Sequence, residues 1–201
     1  MRSLTFQTLT GQAIAPWLSS VAQLRISVFC EYPYLYQGSL DYEQHYLEAY
    51  ASSPNCLFVL AFDGDQLVGA ATGIPMVEAD RSFQQPFLAQ PAAQQWPLSQ
   101  LFYFGESVLL PAYRGRGIGV RFFAEREAWA AQQGGIRWCC FCAIERAPDH
   151  PLRPVNYRSL EPFWRKRGYQ HYHALRTELQ WLELNAAQPS SHPMSFWIKA
   201  L

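Results

Sequence analysis

Apolar positions along this chain recur with two different periods, and the places where the period changes divide it into strands and helices. Leu4, Phe6 and Thr8 alternate with Thr5 and Gln7, the spacing of a half-buried first strand. Between Ala13 and Phe29 the residues Ile14, Trp17, Leu18, Val21, Leu24 and Val28 fall on one helix face. Pro16 sits in the first turn, where a missing N–H costs nothing. The aromatic loop Tyr32-Pro33-Tyr34-Leu35-Tyr36-Gln37-Gly38 ends that helix. A second helix follows, capped by Ser39 or Asp41, with Tyr42, Tyr46, Leu47 and Tyr50 on one side. Cys56 to Phe62 and Gln66 to Met76 read as a hairpin turning at Asp63-Gly64-Asp65. The stretch from Ala79 to Ser99, rich in Gln, Ala and Pro, reads as an insertion with one short helix, long enough to serve as a lid. Leu101 to Leu110 is predicted as the next strand. A helix then starts at about Ile118, runs through Phe122, Phe123, Arg126, Glu127 and Ala130, and stops at Gly134-Gly135. Ile136 to Ile144 is almost continuously apolar, as expected of a strand covered on both faces. After a proline-rich loop, Arg158 to Arg167 reads as a helix closed by Gly168, and Tyr169 to Leu184 and Met194 to Leu201 as two final strands. No internal repeat is present.

Composition narrows the class of partner. The chain has 201 residues, 49% of them hydrophobic and 15% aromatic, enough for one well-packed domain spanning residues 1–201. Its formal net charge is zero, which argues against nucleic acid or a membrane surface held by bulk charge. Phosphate binding, if present, must be local. The opening residues Met1 to Gln7 lack the apolar core of a secretory leader, and no run of about 18 apolar residues is available to span a bilayer. Five cysteines without a paired framework point to a reducing, cytoplasmic setting.

The most informative stretch is Leu109-Leu110-Pro111-Ala112-Tyr113-Arg114-Gly115-Arg116-Gly117-Ile118-Gly119. A strand runs into a turn with three glycines and two arginines, and a long helix begins there. The orphan amides at a helix start point outward, the helix dipole adds partial positive charge, and glycine leaves no Cβ to keep a ligand away. Together they predict a socket for a diphosphate. No Gly-Lys-Ser/Thr ending follows, which excludes a Walker loop, and the glycine spacing differs from a dinucleotide fingerprint. The bland alternative is a glycine-rich turn with no ligand. Cys139, Cys140 and Cys142 read as inert core thiols, since Cys-x-Cys without a second pair is weak zinc evidence. His171 and His173 share a strand face without an evident carboxylate partner and read as surface or packing residues, so no metal ligands are assigned.

Arg114, Gly117 and Gly119, led in by Pro111 and Tyr113, resemble the Arg-x-x-Gly-x-Gly signature of the GNAT superfamily of acetyl-CoA-dependent N-acetyltransferases. The order of elements is similar over nearly the whole chain, while the specific residues lie mainly in Glu106 to Arg126 and Asn156 to Tyr169. The resemblance implies an α/β (α+β) fold, a mixed and mostly antiparallel sheet of about seven strands flanked by about four helices. Its two central parallel strands, here Leu101–Leu110 and Ile136–Ile144, would splay apart at their ends. It implies acetyl-CoA as cofactor, with its pyrophosphate on Gly115, Gly117, Ile118 and Gly119 and charge from Arg114 and Arg116. Its pantetheine arm would lie along Val108, Leu109 and Leu110 as an added strand, with Asn156 touching that arm.

The reaction implied is direct attack of an amine on the thioester. An amine with a pKa near ~10 is protonated at neutral pH, so a base is needed, and Glu106 in its apolar strand is the candidate. The rival reading of Glu106 is a solvated carboxylate. An amide near Leu109 or Leu110 would steady the developing negative oxygen. The family commonly places a tyrosine proton donor where this chain has Trp164, and an indole N–H is no acid at neutral pH. Either another hydroxyl takes over, Tyr157 at the start of that helix being the nearest, with packing or capping as its rival role, or the thiolate leaves unaided, since thiols have a pKa near ~8.5. The resemblance implies that the loop carrying Tyr32, Tyr34 and Tyr36, with Arg25 and Glu31 nearby, borders the acceptor pocket, where these residues suit a small amine bearing an apolar or carboxylate group; the rival reading of the loop is a hydrophobic plug under the sheet. The leading expectation is an N-acetyltransferase for a small-molecule amine. A non-catalytic acyl-CoA-binding regulatory domain and a protein lysine or N-terminal acetyltransferase are the alternatives. Sheet edges and the last strand leave room for a homodimer.

Overall fold

The computed structural model describes residues 4–201, apart from the side chain of Ala49. Met1, Arg2 and Ser3, part of the stretch read for a leader, lie outside the described residues. The strands are β1 (Leu4–Leu9), β2 (Leu57–Asp63), β3 (Gln66–Pro75), β4 (Leu101–Tyr103), β5 (Ser107–Leu109), β6 (Trp138–Ile144), β7 (Gln170–Trp181) and β8 (Ser190–Ala200). The α-helices are α1 (Leu18–Phe29), α2 (Leu40–Ser52), α3 (Arg81–Ala89), α4 (Ile118–Gln132) and α5 (Glu161–Lys166). The strands form one mixed sheet ordered β1-β2-β3-β4-β6-β8-β7, with β5 pairing β3 beside that path. Every pairing is antiparallel except β4 with β6. No helix among the described residues is long and apolar enough to cross a membrane.

The strand expected over Leu101–Leu110 is two strands. β4 runs parallel to β6 as far as Tyr103↔Cys140, and Phe104 still donates to the Cys140 carbonyl at 2.8 Å. The chain then leaves β6, and Ser107–Leu109 pair only with Ala71–Gly69 of β3. The cause is local. At Gly105 a Cβ would stand 2.3 Å from the Tyr50 hydroxyl and 2.7 Å from Thr72 Oγ1, so only glycine lets the backbone pass there. The Glu106 amide donates to that Thr72 hydroxyl instead of to the ladder, at 3.2 Å. Arg126 of α4 holds the break from the other face, donating to the carbonyls of Thr72 and Glu106 (both 3.1 Å) and to Ser107 Oγ (2.7 Å). Its guanidinium lies 4.0 Å over the Phe104 ring and is buried, and burial lowers its pKa to about 10.

Two apolar layers sandwich the sheet. One packs α1, α2 and α3 on one face, with Val21, Leu24, Leu47, Phe58, Leu60, Phe83 and Phe196 buried. The other packs α4 and α5 on the opposite face through Phe102, Phe104, Phe123, Phe141, Tyr169 and Trp197. The segment read as an insertion belongs to the first layer. Phe83 stacks on Tyr103 (4.5 Å), Phe87 meets Phe196 edge-on (5.0 Å) and Trp96 meets Tyr172 (4.5 Å), while Thr177 donates to the Ser82 carbonyl at 2.7 Å. It is a packed wall rather than a free lid.

Smaller differences have equally local reasons. The helix predicted from Ala13 begins as a 3-10 turn over Gly11–Trp17 that contains Pro16, and becomes α-helical at Leu18. Ser39, not Asp41, caps α2, accepting from the Tyr42 amide. The helix predicted over Arg158–Arg167 shortens to α5, with Pro162 in its first turn. Among the described residues the sheet has eight strands and the fold five α-helices, against about seven and about four expected.

Candidate active site

The start of α4 has the geometry that its sequence predicts. Gly117 is the N-cap, with φ +81° and no side chain satisfying the first turn. Gly115 is also left-handed, with φ +77°, a conformation that other residues reach only with strain. A Cβ on either would meet nothing within 4 Å, so these glycines answer to backbone conformation and leave the concave side open. The first helical bond runs from the Arg121 amide to the Gly117 carbonyl, so the amides of Ile118, Gly119 and Val120 have no intrahelical acceptor. Among the described residues no acidic side chain lies in that turn to neutralise the dipole. The approach loop is tethered by the Tyr113 hydroxyl donating to Asp63 at 2.9 Å.

The arginines are less free than expected. Arg114 pairs with Glu31 beyond α1 at 2.9 Å and donates to the Leu109 carbonyl at 3.2 Å, although it stays largely exposed. Arg116 lies 4.9 Å over the Tyr113 ring. The strand before them presents one edge. The Leu110 amide donates to the Val68 carbonyl (3.0 Å) and the Thr72 amide to the Glu106 carbonyl (3.1 Å). By antiparallel alternation Val108 and Leu110 therefore turn their hydrogen-bonding groups to β3, while Ser107 and Leu109 turn theirs to the open side. Of the two amides expected to face the reacting oxygen, that of Leu110 is committed elsewhere and that of Leu109 is available.

Glu106 sits at the break, buried, on the α1–α2 face. Its carboxylate lies 2.5 Å from Arg25 of α1, and Arg25 also pairs with Glu43 of α2. The Arg25 guanidinium is stacked between Tyr46 (4.5 Å) and Phe29 (5.1 Å). Burial disfavours the Arg25 charge, but Glu106, Tyr46 and Glu43 outweigh it and hold its pKa above the ordinary value. Burial pushes the Glu106 carboxyl above the usual carboxylate range; Arg25 pulls it back and Glu43 pushes it up again. Oε1 of Glu43 and both carboxylate oxygens of Glu106 have no hydrogen-bond partner, Oε2 of Glu106 meeting Arg25 as an ion pair. The solvated-carboxylate reading of Glu106 is therefore wrong: it belongs to a buried triad.

That triad lines a cleft of about 580 Å³. Tyr34, Tyr36, Tyr46, Phe83 of α3 and Trp181 of β7 line it, with Tyr103, Gly105 and Cys142 at the sheet. The aromatic loop is fastened in place. Arg146 donates to the carbonyls of Pro33 (2.7 Å) and Tyr34 (3.0 Å), and the Trp181 indole donates to the Tyr34 carbonyl (3.1 Å). Burial raises the phenols of Tyr34 and Tyr36 well above 10, so both stay neutral donors. Cys142 accepts or donates to Tyr103 at 3.3 Å and is pushed up to about 12 by burial, an inert thiol.

Tyr32 is not in this cleft. It turns to the loop before α5, meeting Tyr157 (4.7 Å) and His150 (5.7 Å). Tyr157 is not on a helix either, because α5 starts only at Glu161; it lies half-buried in that loop beside the exposed Asn156, and burial raises its pKa. Trp164 packs on Phe141 and Trp197, both at 5.1 Å. Tertiary structure also supplies what the sequence hid near His171 and His173: Glu145 brings a carboxylate within 4.8 Å of both. Glu145 already pairs with Arg176 at 3.0 Å, and His171 contacts Ser195 at 2.6 Å and stacks on Trp197. The sequence places Arg25 near the tyrosine loop but does not show that it pairs with Glu106, and it gives no sign of Glu43 or Arg126 as site residues, since a charged residue inside a helix pattern does not reveal that it faces a buried carboxylate or a strand break.

Comparison with known proteins bears on the fold and the family. A search of curated proteins finds no match. Among solved structures, NAA60 of Arabidopsis thaliana in complex with a bisubstrate analogue superposes with a TM-score of 0.60 at 13% identity, covering 99% of each chain. The putative acetyltransferase yncA of Salmonella typhimurium, solved with acetyl-CoA, gives 0.60 at 8% identity over 100% of this chain and 95% of its own. A ribosomal-protein-alanine N-acetyltransferase of Brucella melitensis gives 0.60 at 13% identity, over 98% and 99%. At these identities the likeness establishes the fold: a mixed sheet opened between its two parallel strands. The acetyltransferase (GNAT) family profile matches residues 22–152, from α1 through the socket to the loop beyond β6, and the chain belongs to that family.

Proposed function

We propose that this chain is an N-acetyltransferase that transfers the acetyl group of acetyl-CoA to the primary amine of a small molecule, with both substrates bound together. One observation carries the reading: Glu106, buried and with a free oxygen, stands between an aromatic cleft and the strand edge that leads to the α4 socket. The socket fits acetyl-CoA. The amides at Gly115, Gly117, Ile118 and Gly119 are the donors for its pyrophosphate, and the missing Cβ atoms leave room for it. Arg114 and Arg116 add positive charge at the mouth. The open edge at Leu109 suits the amides of the pantetheine arm, and Asn156 lies exposed for the same arm. When bound, acetyl-CoA supplies an acetyl group activated as a thioester.

The residues of the chain then divide the work. Glu106 removes the ammonium proton, and burial, which raises its pKa above the usual carboxylate range, makes it a stronger base. The Leu109 amide, turned to the open side of the strand, would steady negative charge on the acyl oxygen. Tyr157, whose phenol burial holds in its protonated form, would give a proton to the departing sulfur. Phe83 of α3 lines the cleft and stacks on Tyr103, a wall that supports a small acceptor over a protein. The setting is cytoplasmic, and neither nucleic acid nor a membrane is a partner.

A thiol-release assay with acetyl-CoA and a panel of amines, amino acids, polyamines and peptides tests this reading. Release with a small amine is expected. Tight acetyl-CoA binding with no release from any acceptor would replace it with a regulatory acyl-CoA-binding domain.

A further inference from the structure

The acceptor cleft is chemically lopsided. Its charged lining consists of three carboxylates, Glu43, Asp80 and Glu106, and one guanidinium, Arg25. That guanidinium is already held by Glu43 and Glu106 and stacked between Tyr46 and Phe29. No cation is left over to receive a carboxylate, phosphate or sulfate on an acceptor. The carboxylates, by contrast, are short of donors. Glu43 is fully buried and Glu106 nearly so, yet Oε1 of each lacks a hydrogen-bond partner. A buried acceptor left unmatched is costly, and an ammonium with three N–H groups is the natural donor to match it. Tyr36 stands beside Glu43, whose carboxylate helps to hold the phenol's proton, while Glu43 Oε1 is itself without a partner. Above the carboxylates the walls are aromatic, a surface that favours both a cation and a flat apolar body.

We propose that Glu43 is a specificity-determining residue that binds the acceptor's ammonium together with Glu106, and that the acceptor is a primary arylalkylamine without a carboxylate next to its amino group. This rests on the acetyltransferase reading above. It removes the carboxylate-bearing amines that the tyrosine loop alone admits, because a second anion would meet buried carboxylates with no counter-charge. Glu43 acts on binding, Glu106 on the proton.

The test compares phenethylamine, phenylalanine, phenylalanine amide and a short peptide with N-terminal phenylalanine in the thiol-release assay. Phenethylamine should exceed phenylalanine in kcat/KM by at least about 100-fold, because like charges brought together in a desolvated site repel strongly. Phenylalanine amide should recover part of the difference. E43Q should raise KM for phenethylamine about tenfold or more with a smaller change in kcat and an unaltered Kd for acetyl-CoA, and E43D should restore part of the loss. Should E43Q fail to fold, the wild-type panel decides alone. Turnover of phenylalanine or the peptide equal to that of phenethylamine overturns the proposal but keeps the acetyltransferase. No thiol release from any of the four, or from the wider amine panel, overturns both.

Discussion

Replacing Arg25 by methionine separates the electrostatic role of the triad from its packing role. The guanidinium is the single positive charge between Glu43 and Glu106, both buried. Methionine fills similar volume between Tyr46 and Phe29 but leaves two carboxylates facing each other. Removing one partner of a buried pair costs about 3–5 kcal/mol. The loss depends on pH. Glu106 faces Arg25, Glu43, Tyr46, Tyr50 and Thr72, and its pKa in the fold already exceeds its ordinary value. Without Arg25 it rises further, so the folded variant holds a proton at pH values where the unfolded chain has lost it. Its stability therefore falls as pH rises from the unfolded value near ~4.3 to the raised folded value, and the deficit is largest above that. Urea unfolding at pH 5.5 and pH 8 measures this. With a slope of about 2 kcal/mol/M, the midpoint should fall by about 2 M at pH 8 and clearly less at pH 5.5. Adding Glu106→Gln to Arg25→Met should recover much of the deficit at pH 8. A deficit that is the same at both pH values, or a double variant no more stable than the single one, refutes the reasoning.

Further outcomes follow from the same geometry. Glu106→Gln should lower kcat/KM about 100-fold or more and abolish the acid limb of the pH profile, a limb lying above the usual carboxylate range, with acetyl-CoA affinity unchanged by calorimetry. Gly117→Ala forces a Cβ into a left-handed position at a cost of about 1–2 kcal/mol, and should weaken acetyl-CoA binding about tenfold. Gly105→Ala should destabilise the fold by about 1–3 kcal/mol in thermal unfolding, and adding Tyr50→Phe, which removes the hydroxyl that the new methyl would strike, should recover part of it. Arg126→Met should speed hydrogen exchange at the Glu106 and Val108 amides by about tenfold or more, because the carbonyls on either side of the strand break lose their clamp.

The sequence announces elements whose cause is local and is silent where the cause lies across the sheet. Gly115 and Gly117 are legible because their φ values leave glycine no substitute, and the helix start at Ile118 follows from them. The hairpin at Asp63-Gly64-Asp65 and the stop at Gly134-Gly135 are local as well. The strand break at Gly105 is not. Leu101 to Leu110 reads as one apolar run, and what interrupts it is the Tyr50 hydroxyl, Thr72 and Arg126, from a helix, a strand and another helix. Glu106 draws notice as a carboxylate in an apolar strand, but its partners are invisible because Arg25 and Glu43 sit in helix patterns where a charge usually faces water. The tyrosine loop divides for a similar reason: Arg146 and Trp181 hold Tyr34 in the cleft, while Tyr157 and His150 draw Tyr32 away from it.

The most direct test of the socket is a titration of the isotope-labelled protein with coenzyme A, followed at the backbone amides by two-dimensional NMR. Saturable shifts at Gly115, Gly117, Ile118 and Gly119, with Gly134 and Gly135 at the far end of α4 unmoved, are the predicted result. Coenzyme A that binds while the amides at the start of α4 stay unchanged would contradict it.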